Sequence, residues 1–404
     1  MMKKVLSIIL ALSLVVASFS ACGTKEAQDT KESQDAQVTQ GTENTQDTAD
    51  GKFVIGGIGP LTGDAAVYGQ NVKNGAELAV NEINAAGGIN GTQIEFLFED
   101  DEADGEKAVN AYNTLKDQGM QILMGTVTSG ACASVIEKTN TDKMFQLTPS
   151  ASSTDVLKLG NLFQVCFTDP NQGIASAKYI GETALAKKVA VIYNSSDIYS
   201  TGIYEAFASE AKNQNLEIVA AEAFTADSKS DFSVQLQKAK DSGAELVFLP
   251  MYYNEASLIL QQASDLDYNP TFFGCDGLDG ILTVENFDTT LAEGLTFLTP
   301  FSADSADENT QKFVTSYKAA YTDAPNQFAA DAYDAIYIIK AAIEKSAITS
   351  DKSVSEIGDA LKGAITQITF DGLTGTGMTW ATTGEVNKTP VIFTIKDGAY
   401  VLAQ

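Results

Sequence analysis

The sequence contains no histidine and no arginine, and this absence narrows its possible functions at once. Its positive charge comes from 26 lysines against 53 acidic residues, which leaves a net charge of −27 at pH 7. Without histidine there is no histidine general base, triad or imidazole metal ligand, so most hydrolase and zinc sites are excluded. Phosphate binding depends on clustered lysine and arginine, so we expect no nucleic-acid partner.

Cysteine is also scarce, with four residues in the chain. Cys132, Cys166 and Cys275 do not stand in a CxxC spacing, so we expect neither a metal site nor a cofactor. We interpret them as small buried hydrophobic residues and leave open whether two of them pair. The fourth cysteine, Cys22, follows a basic and apolar leader at residues 1–21, which predicts a cleaved signal peptide.

The end of this leader resembles a bacterial lipobox, because small residues at Ser20-Ala21 stand directly before Cys22. The resemblance implies that Cys22 is acylated and anchors the chain to the outer face of the cell membrane. The alternative is an ordinary cleaved signal with a chance cysteine. Residues 22–51 are polar, acidic and free of aromatic side chains, so we expect a disordered acidic tether. No later stretch has the ~20 apolar residues of a transmembrane helix.

The remaining body alternates strand and helix patterns, which predicts an α/β fold with two doubly wound parallel-sheet lobes. Phe53 to Glu99 gives a strand, a loop, an amphipathic helix, a Gly-Gly stop and a second strand. A second alternating series begins at about Asn171. Helices are then predicted at about 308–321, 327–345 and 354–361, and short strands at 391–396 and 399–402.

Six predicted loops follow the carboxyl ends of strands, where open α/β sheets bind ligands. The earlier loops offer hydroxyl groups and helix-start amides, which suit a carboxylate. The later loops offer tyrosines with Glu255 and Asp276, which suit an ammonium group. The sequence therefore predicts a site for a zwitterion between the lobes. The loops are 59–69, 125–130, 149–153, 194–201, 251–255 and 275–280.

Each of these residues also has a purely structural interpretation. Serine and threonine before helices are common caps, and Asp276 beside Gly277 is a common turn. The acidic run at 99–102 lacks the ligand spacing of a calcium loop, and we interpret it as a solvated edge.

Several motifs resemble the branched-chain amino-acid binding proteins of ABC transporters, which have the type I periplasmic-binding-protein fold. They include GPLTG, YGQ, VTSGACAS, LTPSASS, FFGCDG and FAADAYDAIY, and the resemblance covers nearly all of Phe53 to Gln404. It implies two lobes joined by a three-segment hinge. The N-terminal lobe would comprise 52–170 plus 298–388, and the C-terminal lobe 171–297 plus 389–404.

The same resemblance implies the ligand contacts. The first lobe would hold the ligand carboxylate, Asp276 would hold the ammonium, and two tyrosines would close from the second lobe. Asp276 stands where branched-chain binders usually have glutamate, and Val127-Thr128 where enteric members have Leu-Cys. Both departures weaken the case for leucine, isoleucine or valine in particular. The implied ligand-binding residues are Tyr68, Ser129, Ala151, Ser152, Tyr199, Tyr252 and Asp276.

The function implied is a monomeric, lipid-anchored extracytoplasmic receptor that captures an amino acid and delivers it to the permease of an ABC importer. It would not be an enzyme and would need no cofactor. One alternative is a receptor of the same fold that signals to a membrane kinase or chemoreceptor. Another is an acid hydrolase that uses paired carboxylates such as Glu255 and Asp276. The sequence does not identify the amino acid.

Overall fold

The computed structural model describes residues 51–403. The predicted signal peptide, Cys22 and nearly all of the predicted tether lie outside this range. Within it, no helix is both long and apolar enough to cross a membrane.

The first lobe is built on a five-stranded parallel sheet with the order β2-β1-β3-β4-β5. β1 is buried along its whole length, because helices cover both faces and its residues are apolar or glycine. The strands are β1 (Phe53–Gly59), β2 (Ile94–Asp100), β3 (Ile122–Gly125), β4 (Phe145–Thr148) and β5 (Leu162–Gln164).

The helices of this lobe come from two distant parts of the chain. The late helix α9 packs against α1, and a Cβ added at Gly75 of α1 would lie 2.0 Å from the Ala329 carbonyl oxygen. Gly75 therefore allows the two helices to approach closely. Asp104 caps α2, since its side chain accepts from the Lys107 amide. The helices are α1 (Ala66–Ala85), α2 (Gly105–Asp117), α3 (Ser129–Thr141), α8 (Glu308–Tyr321), α9 (Gln327–Ser346) and α10 (Val354–Ile365).

The second lobe contains a seven-stranded sheet with the order β12-β11-β10-β9-β8-β6-β7. Its strands are β6 (Lys188–Asn194), β7 (Glu217–Phe224), β8 (Leu246–Leu249), β9 (Thr271–Gly274), β10 (Thr296–Leu298), β11 (Ile392–Lys396) and β12 (Ala399–Leu402). Its helices are α4 (Asp169–Glu182), α5 (Ile198–Ala211), α6 (Ser233–Asp241) and α7 (Tyr253–Asp265). β11 and β12 run antiparallel to their neighbours, whereas β6 to β10 are parallel.

The predicted two-lobed α/β architecture is confirmed, with three local differences. β10 was not predicted, because three residues carry too little pattern. The apolar run at 162–167 predicts a longer strand than β5, which stops at Gln164. The apolar spacing predicts a helix from about Ile174, but α4 begins at Asp169, because Pro170 suits the first helical turn. The predicted lobe boundaries stay a prediction.

The chain passes between the lobes after β5, returns after β10, and passes again before β11. A buried ion pair lies beside these crossings: Lys388 Nζ is 2.7 Å from Asp331 Oδ1 on α9. The same ammonium donates to the Val165 carbonyl at 3.2 Å and to Thr374 Oγ1 at 2.7 Å. Lys388 therefore ties the first and third crossings to one helix of the first lobe.

Candidate functional site

One narrow cavity lies between the lobes, and all six predicted loops contribute to its wall. It leaves room for about one water molecule, so the lobes are closed on one another. Phe328, at the start of α9, completes the wall and was not predicted. The lining residues are Tyr68, Val127, Thr128, Ser129, Ser150, Tyr199, Tyr252, Asp276, Gly277 and Phe328.

The first-lobe wall is formed at the amino end of α3. The leading amides of a helix have no partner within it, so this end favours negative charge. Thr128 occupies the cap position, but its hydroxyl does not cap the helix. That hydroxyl is buried and has no hydrogen-bond partner among the described residues. A buried donor therefore lies unused beside the helix end, on the wall of the cavity.

The other hydroxyl groups of this wall are already engaged within the lobe. Ser129 Oγ accepts from the amides of Ser152 and Ser153, both at 3.1 Å. Ser150 Oγ donates to the Val127 carbonyl at 2.8 Å. These bonds hold the two loops after β3 and β4 together as one rigid wall.

Ala151 and Ser152 lie immediately behind the lining residues. The Ala151 amide donates to Thr148 Oγ1 at 2.9 Å, and its carbonyl accepts from Gln164 Nε2 at 2.8 Å. Ser152 Oγ donates to Asp169 Oδ1 at 2.6 Å. In this closed conformation, neither residue directs a free polar group into the cavity.

The second-lobe wall carries the negative charge of the cavity. Asp276 is buried, and its Oδ1 accepts from the Tyr199 hydroxyl at 2.7 Å. Burial raises the pKa of Asp276 to about 7, and the nearby Asp331 adds to this shift, while the hydrogen bond from the Tyr199 hydroxyl and the neighbouring Gln172 side chain oppose it. Tyr252 stacks on Tyr199, with ring centres 5.1 Å apart. A carboxylate flanked by aromatic rings is suited to an ammonium group.

Tyr68 bridges the two walls. Its hydroxyl donates to the Gly277 carbonyl and accepts from the Tyr253 amide at 3.2 Å, while its ring lies 4.2 Å from that of Phe328. The predicted residue is therefore in the site, but its hydroxyl binds backbone atoms of the opposite lobe.

Three further contacts cross between the lobes. At the start of α9, Gln327 donates its amide to Asp279 Oδ2 at 2.8 Å and its Nε2 to the Asp276 carbonyl at 2.6 Å. At the rim, Lys229 Nζ lies 2.6 Å from Asp64 Oδ2. Closure of the lobes thus forms buried hydrogen bonds at the start of α9 and a partly exposed ion pair at the rim of the same cavity.

Two carboxylates near the site differ from expectation. The run at 99–102 is a solvated edge only in part: Glu102 is exposed, but Asp101 is fully buried, and burial raises its pKa to about 7. Asp100 accepts from the Leu61 amide at 2.8 Å and so braces the loop after β1. Asp169, which was not selected from the sequence, is also buried, and its Oδ2 has no partner among the described residues.

Glu255 and the three cysteines do not line the cavity. Glu255 is buried in the first turn of α7 and lies 3.8 Å from Lys229. Cys132, Cys166 and Cys275 are all buried and unpaired, as expected for small hydrophobic residues. Within residues 51–403, no group of histidine, cysteine and acidic side chains could hold a metal ion.

The family model described as periplasmic binding protein matches residues 52–399. The chain belongs to this family. Membership places it among solute-binding proteins that work outside the cytoplasm, rather than among enzymes.

Several relatives in this family are named as binding proteins for branched-chain amino acids. The chain is 31% identical to the Leu/Ile/Val-binding protein BraC3 of Rhizobium johnstonii, over 81% of this chain and 89% of the relative. It is 28% identical to a leucine-, isoleucine-, valine-, threonine- and alanine-binding protein of Pseudomonas aeruginosa, over 74% and 79%. The structure of LivJ from Streptococcus pneumoniae, solved in complex with isoleucine, matches with a TM-score of 0.79 and 31% identity, over 87% of this chain and 99% of that one.

Proposed function

We propose that this chain is a lipid-anchored receptor that binds an amino acid between its lobes and delivers it to an ABC importer. The observation that carries the proposal is the charge arrangement of the cavity. Asp276 supplies a buried carboxylate on one side, and the start of α3 supplies free amides and an unused hydroxyl on the other. An α-amino acid presents the complementary pair of charges.

The ammonium group is held by the second lobe. It pairs with Asp276, and the stacked rings of Tyr199 and Tyr252 lie against it. Both tyrosines and Asp276 stand just beyond the carboxyl ends of parallel strands, so the sheet fixes their positions. The raised pKa of Asp276 fits this role, because a bound cation compensates for the carboxylate's lost hydration.

The carboxylate is held by the first lobe. The leading amides of α3 and the Thr128 hydroxyl contact it, and Ser129 supports the loop that carries Ser152. Ala151 and Ser152 form the backbone wall behind it. These roles follow from the helix dipole and from the unused donor, since no arginine exists to bind an anion.

Binding is coupled to closure of the lobes. In this closed form the cavity has room for about one water molecule, so an amino acid enters an open form and is held with the walls further apart than they are here. The ligand then favours closure by contacting both walls, which shifts the population toward the closed state. Tyr68 and Gln327 contribute hydrogen bonds that exist only when the lobes meet.

Delivery follows from recognition of the closed form by a membrane permease. Cys22 anchors the receptor through lipid, residues 22–51 act as the tether, and the receptor works as a monomer. The names of the relatives support transport of branched-chain or related amino acids. The shorter Asp276 side chain leaves the preferred amino acid open among these.

A ligand screen tests this function. The chain from residue 22 onward, with Cys22 replaced by serine, is unfolded and refolded to remove carried-over ligand, and its melting temperature is measured with each amino acid. A ligand at about a hundred times its Kd should stabilise the fold by ~2.7 kcal/mol. Matched acids without an amino group serve as controls.

Stabilisation by L-amino acids only would support the zwitterion site. Stabilisation by the amino-free acids alone would remove Asp276 from its proposed role. Uptake of the responding amino acid, measured in cells with and without the gene, then tests delivery: equal uptake rates would argue against transport.

A further inference from the structure

A second, larger cleft lies on the first lobe, away from the cavity between the lobes. Its volume is about 1040 Å³, slightly above the usual upper end of small-molecule sites at ~1,000 Å³. The helices α8 and α9 form two walls, and the segment 370–376 forms the third. No described residue lines both the cleft and the cavity. The cleft is therefore a separate place where a ligand could bind.

The third wall of the cleft is rigidly built. Asp334 on α9 accepts hydrogen bonds from the Leu373 amide at 2.9 Å, the Thr374 amide at 2.9 Å and the Thr374 hydroxyl at 2.8 Å. These bonds engage both carboxylate oxygens of Asp334 and hold the neighbouring loop in place. The cleft is thus a preformed feature of the fold.

One carboxylate on the cleft wall has an unusual environment. Glu82 Oε2 accepts from the hydroxyls of Tyr333 at 2.6 Å and Tyr337 at 3.0 Å. Glu82 Oε1 accepts no hydrogen bond from the described residues, and no lysine among them lies within ion-pair distance of Glu82. The two phenols orient the carboxylate and leave one oxygen, with the negative charge, available to a ligand.

Aromatic rings surround this carboxylate. The ring centres of Tyr333 and Tyr337 are 4.9 Å apart, and those of Phe313 and Tyr333 are 5.0 Å apart. Phe370 lines the cleft from the opposite segment. Ring faces attract organic cations and also bury apolar groups.

The charged side chains that line the cleft without an ion-pair partner among the described residues are acidic. Asp307 and Asp371 stand at its edge together with Glu82, while Lys312 is paired with Glu308 at 2.8 Å and Lys388 with Asp331. A free carboxylate group on a ligand would meet these acids and be repelled. The cleft therefore suits a cation without an accompanying anion.

We propose that the cleft beside Glu82 binds an organic amine that carries an apolar or aromatic group and no carboxylate. The ammonium pairs with Glu82 Oε1, and the apolar group lies among Tyr333, Phe313 and Phe370. This site goes beyond amino-acid capture between the lobes and does not depend on it.

The probe for this proposal is 2-phenylethylamine, titrated into the chain from residue 22 onward with Cys22 replaced by serine. Affinity is measured by calorimetry, and amide chemical shifts locate the probe in the unaltered chain. The uncharged 2-phenylethanol and the zwitterion phenylalanine are the matched compounds. Saturable binding of the amine should shift amides of α8, α9 and 370–376, and the alcohol should bind about tenfold more weakly or not at all.

Two substitutions test whether the carboxylate of Glu82 itself binds the amine. Glu82→Gln should weaken amine binding by about tenfold or more, since it removes the charge. Glu77→Gln is the matched control, because Glu77 is another α1 carboxylate that accepts from a tyrosine, Tyr321, but does not line the cleft. It should leave amine binding unchanged.

Three results would overturn the proposal: no saturable binding, equal binding of amine and alcohol, or unchanged binding after Glu82→Gln. If binding is lost in Asp276→Asn instead, the amine occupies the cavity between the lobes. That outcome would reject the cleft and leave the proposed function standing. Phenylalanine bound with shifts around Asp276 would likewise report on the cavity alone.

Discussion

The two lobes have the same core topology but opposite chemistry. The parallel strands run β2-β1-β3-β4-β5 in the first sheet and β7-β6-β8-β9-β10 in the second, which is the same order. In each sheet the order reverses beside the first strand, and the loops that leave this point line the cavity. The fold therefore supplies two equivalent positions for ligand contacts.

The residues placed at these positions are not equivalent. The first lobe contributes hydroxyls, amides and a helix end, while the second contributes phenols and Asp276, the one charged residue among the described cavity-lining positions. The comparison teaches that topology fixes where the cavity-lining loops lie, and that loop composition fixes the charge that each wall presents.

The largest effect is expected when the one negative charge that the second lobe places in the cavity wall is removed. Asp276→Asn keeps the shape but leaves a bound ammonium without its partner, and affinity for the amino acid should fall by about 3 kcal/mol or more. Calorimetry measures the loss. Glu285→Gln, at an exposed acid of the same lobe that does not line the cavity, is the control and should leave binding unchanged. Unchanged affinity in Asp276→Asn would refute the ammonium role.

The first lobe is tested at its unused hydroxyl. Thr128→Val removes the donor while keeping the size, and the affinity should fall by about 1.5 kcal/mol, the scale of a hydrogen bond to a charged group. Thr128→Ser retains the hydroxyl and should restore most of it. Equal affinities for the valine and serine variants, measured in parallel, would show that the ligand carboxylate does not reach Thr128.

The pH dependence of amino-acid affinity tests whether the ionised carboxylate of Asp276 binds the ammonium group. Below its pKa of about 7 the carboxyl is protonated, so amino-acid affinity should fall about fivefold between pH 7 and pH 6. Folding responds in the opposite sense: this pKa is raised above its ordinary value, so the contribution of Asp276 to unliganded stability falls as pH rises from about 4 to 7. Asp169 and Asp331 lie close enough to influence both trends.

Calorimetry and melting curves across this range provide the measurement for both trends. The Asp276→Asn variant should show a flatter affinity profile. A wild-type affinity that is constant from pH 6 to pH 7 would contradict the assignment.

The smallest effect is expected at the rim. Lys229 and Asp64 form a partly exposed pair, so Lys229→Gln should cost at most about 1 kcal/mol of closure, and less at high salt. Small-angle scattering with saturating ligand, at low and high salt, measures closure. A large opening of the ligand-bound variant would show that the rim, rather than the buried walls, holds the lobes together.

The sequence predicted the positions of the loops better than the state of their polar groups. All six loops reach the cavity because the strand–helix alternation fixes the carboxyl edge of each sheet. The use of the Ala151 amide by Thr148 depends on hydrogen bonds within one loop, which no pattern encodes. For the same reason, the sequence does not predict that the Thr128 hydroxyl lacks a hydrogen-bond partner among the described residues.

Two residues were missed for reasons of topology and packing. Phe328 follows no strand, so the loop rule does not select it, although it lines the cavity from the start of α9. Asp101 lies in an acidic run that is polar on average, and its burial depends on how the loop after β2 folds back. Burial of a single side chain is a property of tertiary packing.

Helix α9 has a mechanical consequence for the whole molecule. Phe328 at its start lies against the cavity, and Tyr337 lies about 14 Å further along the same axis, in the wall of the amine cleft. A helix is stiff over this length, so a tilt at one end displaces the other. The cavity between the lobes and the amine cleft therefore share one stiff helix as part of their walls.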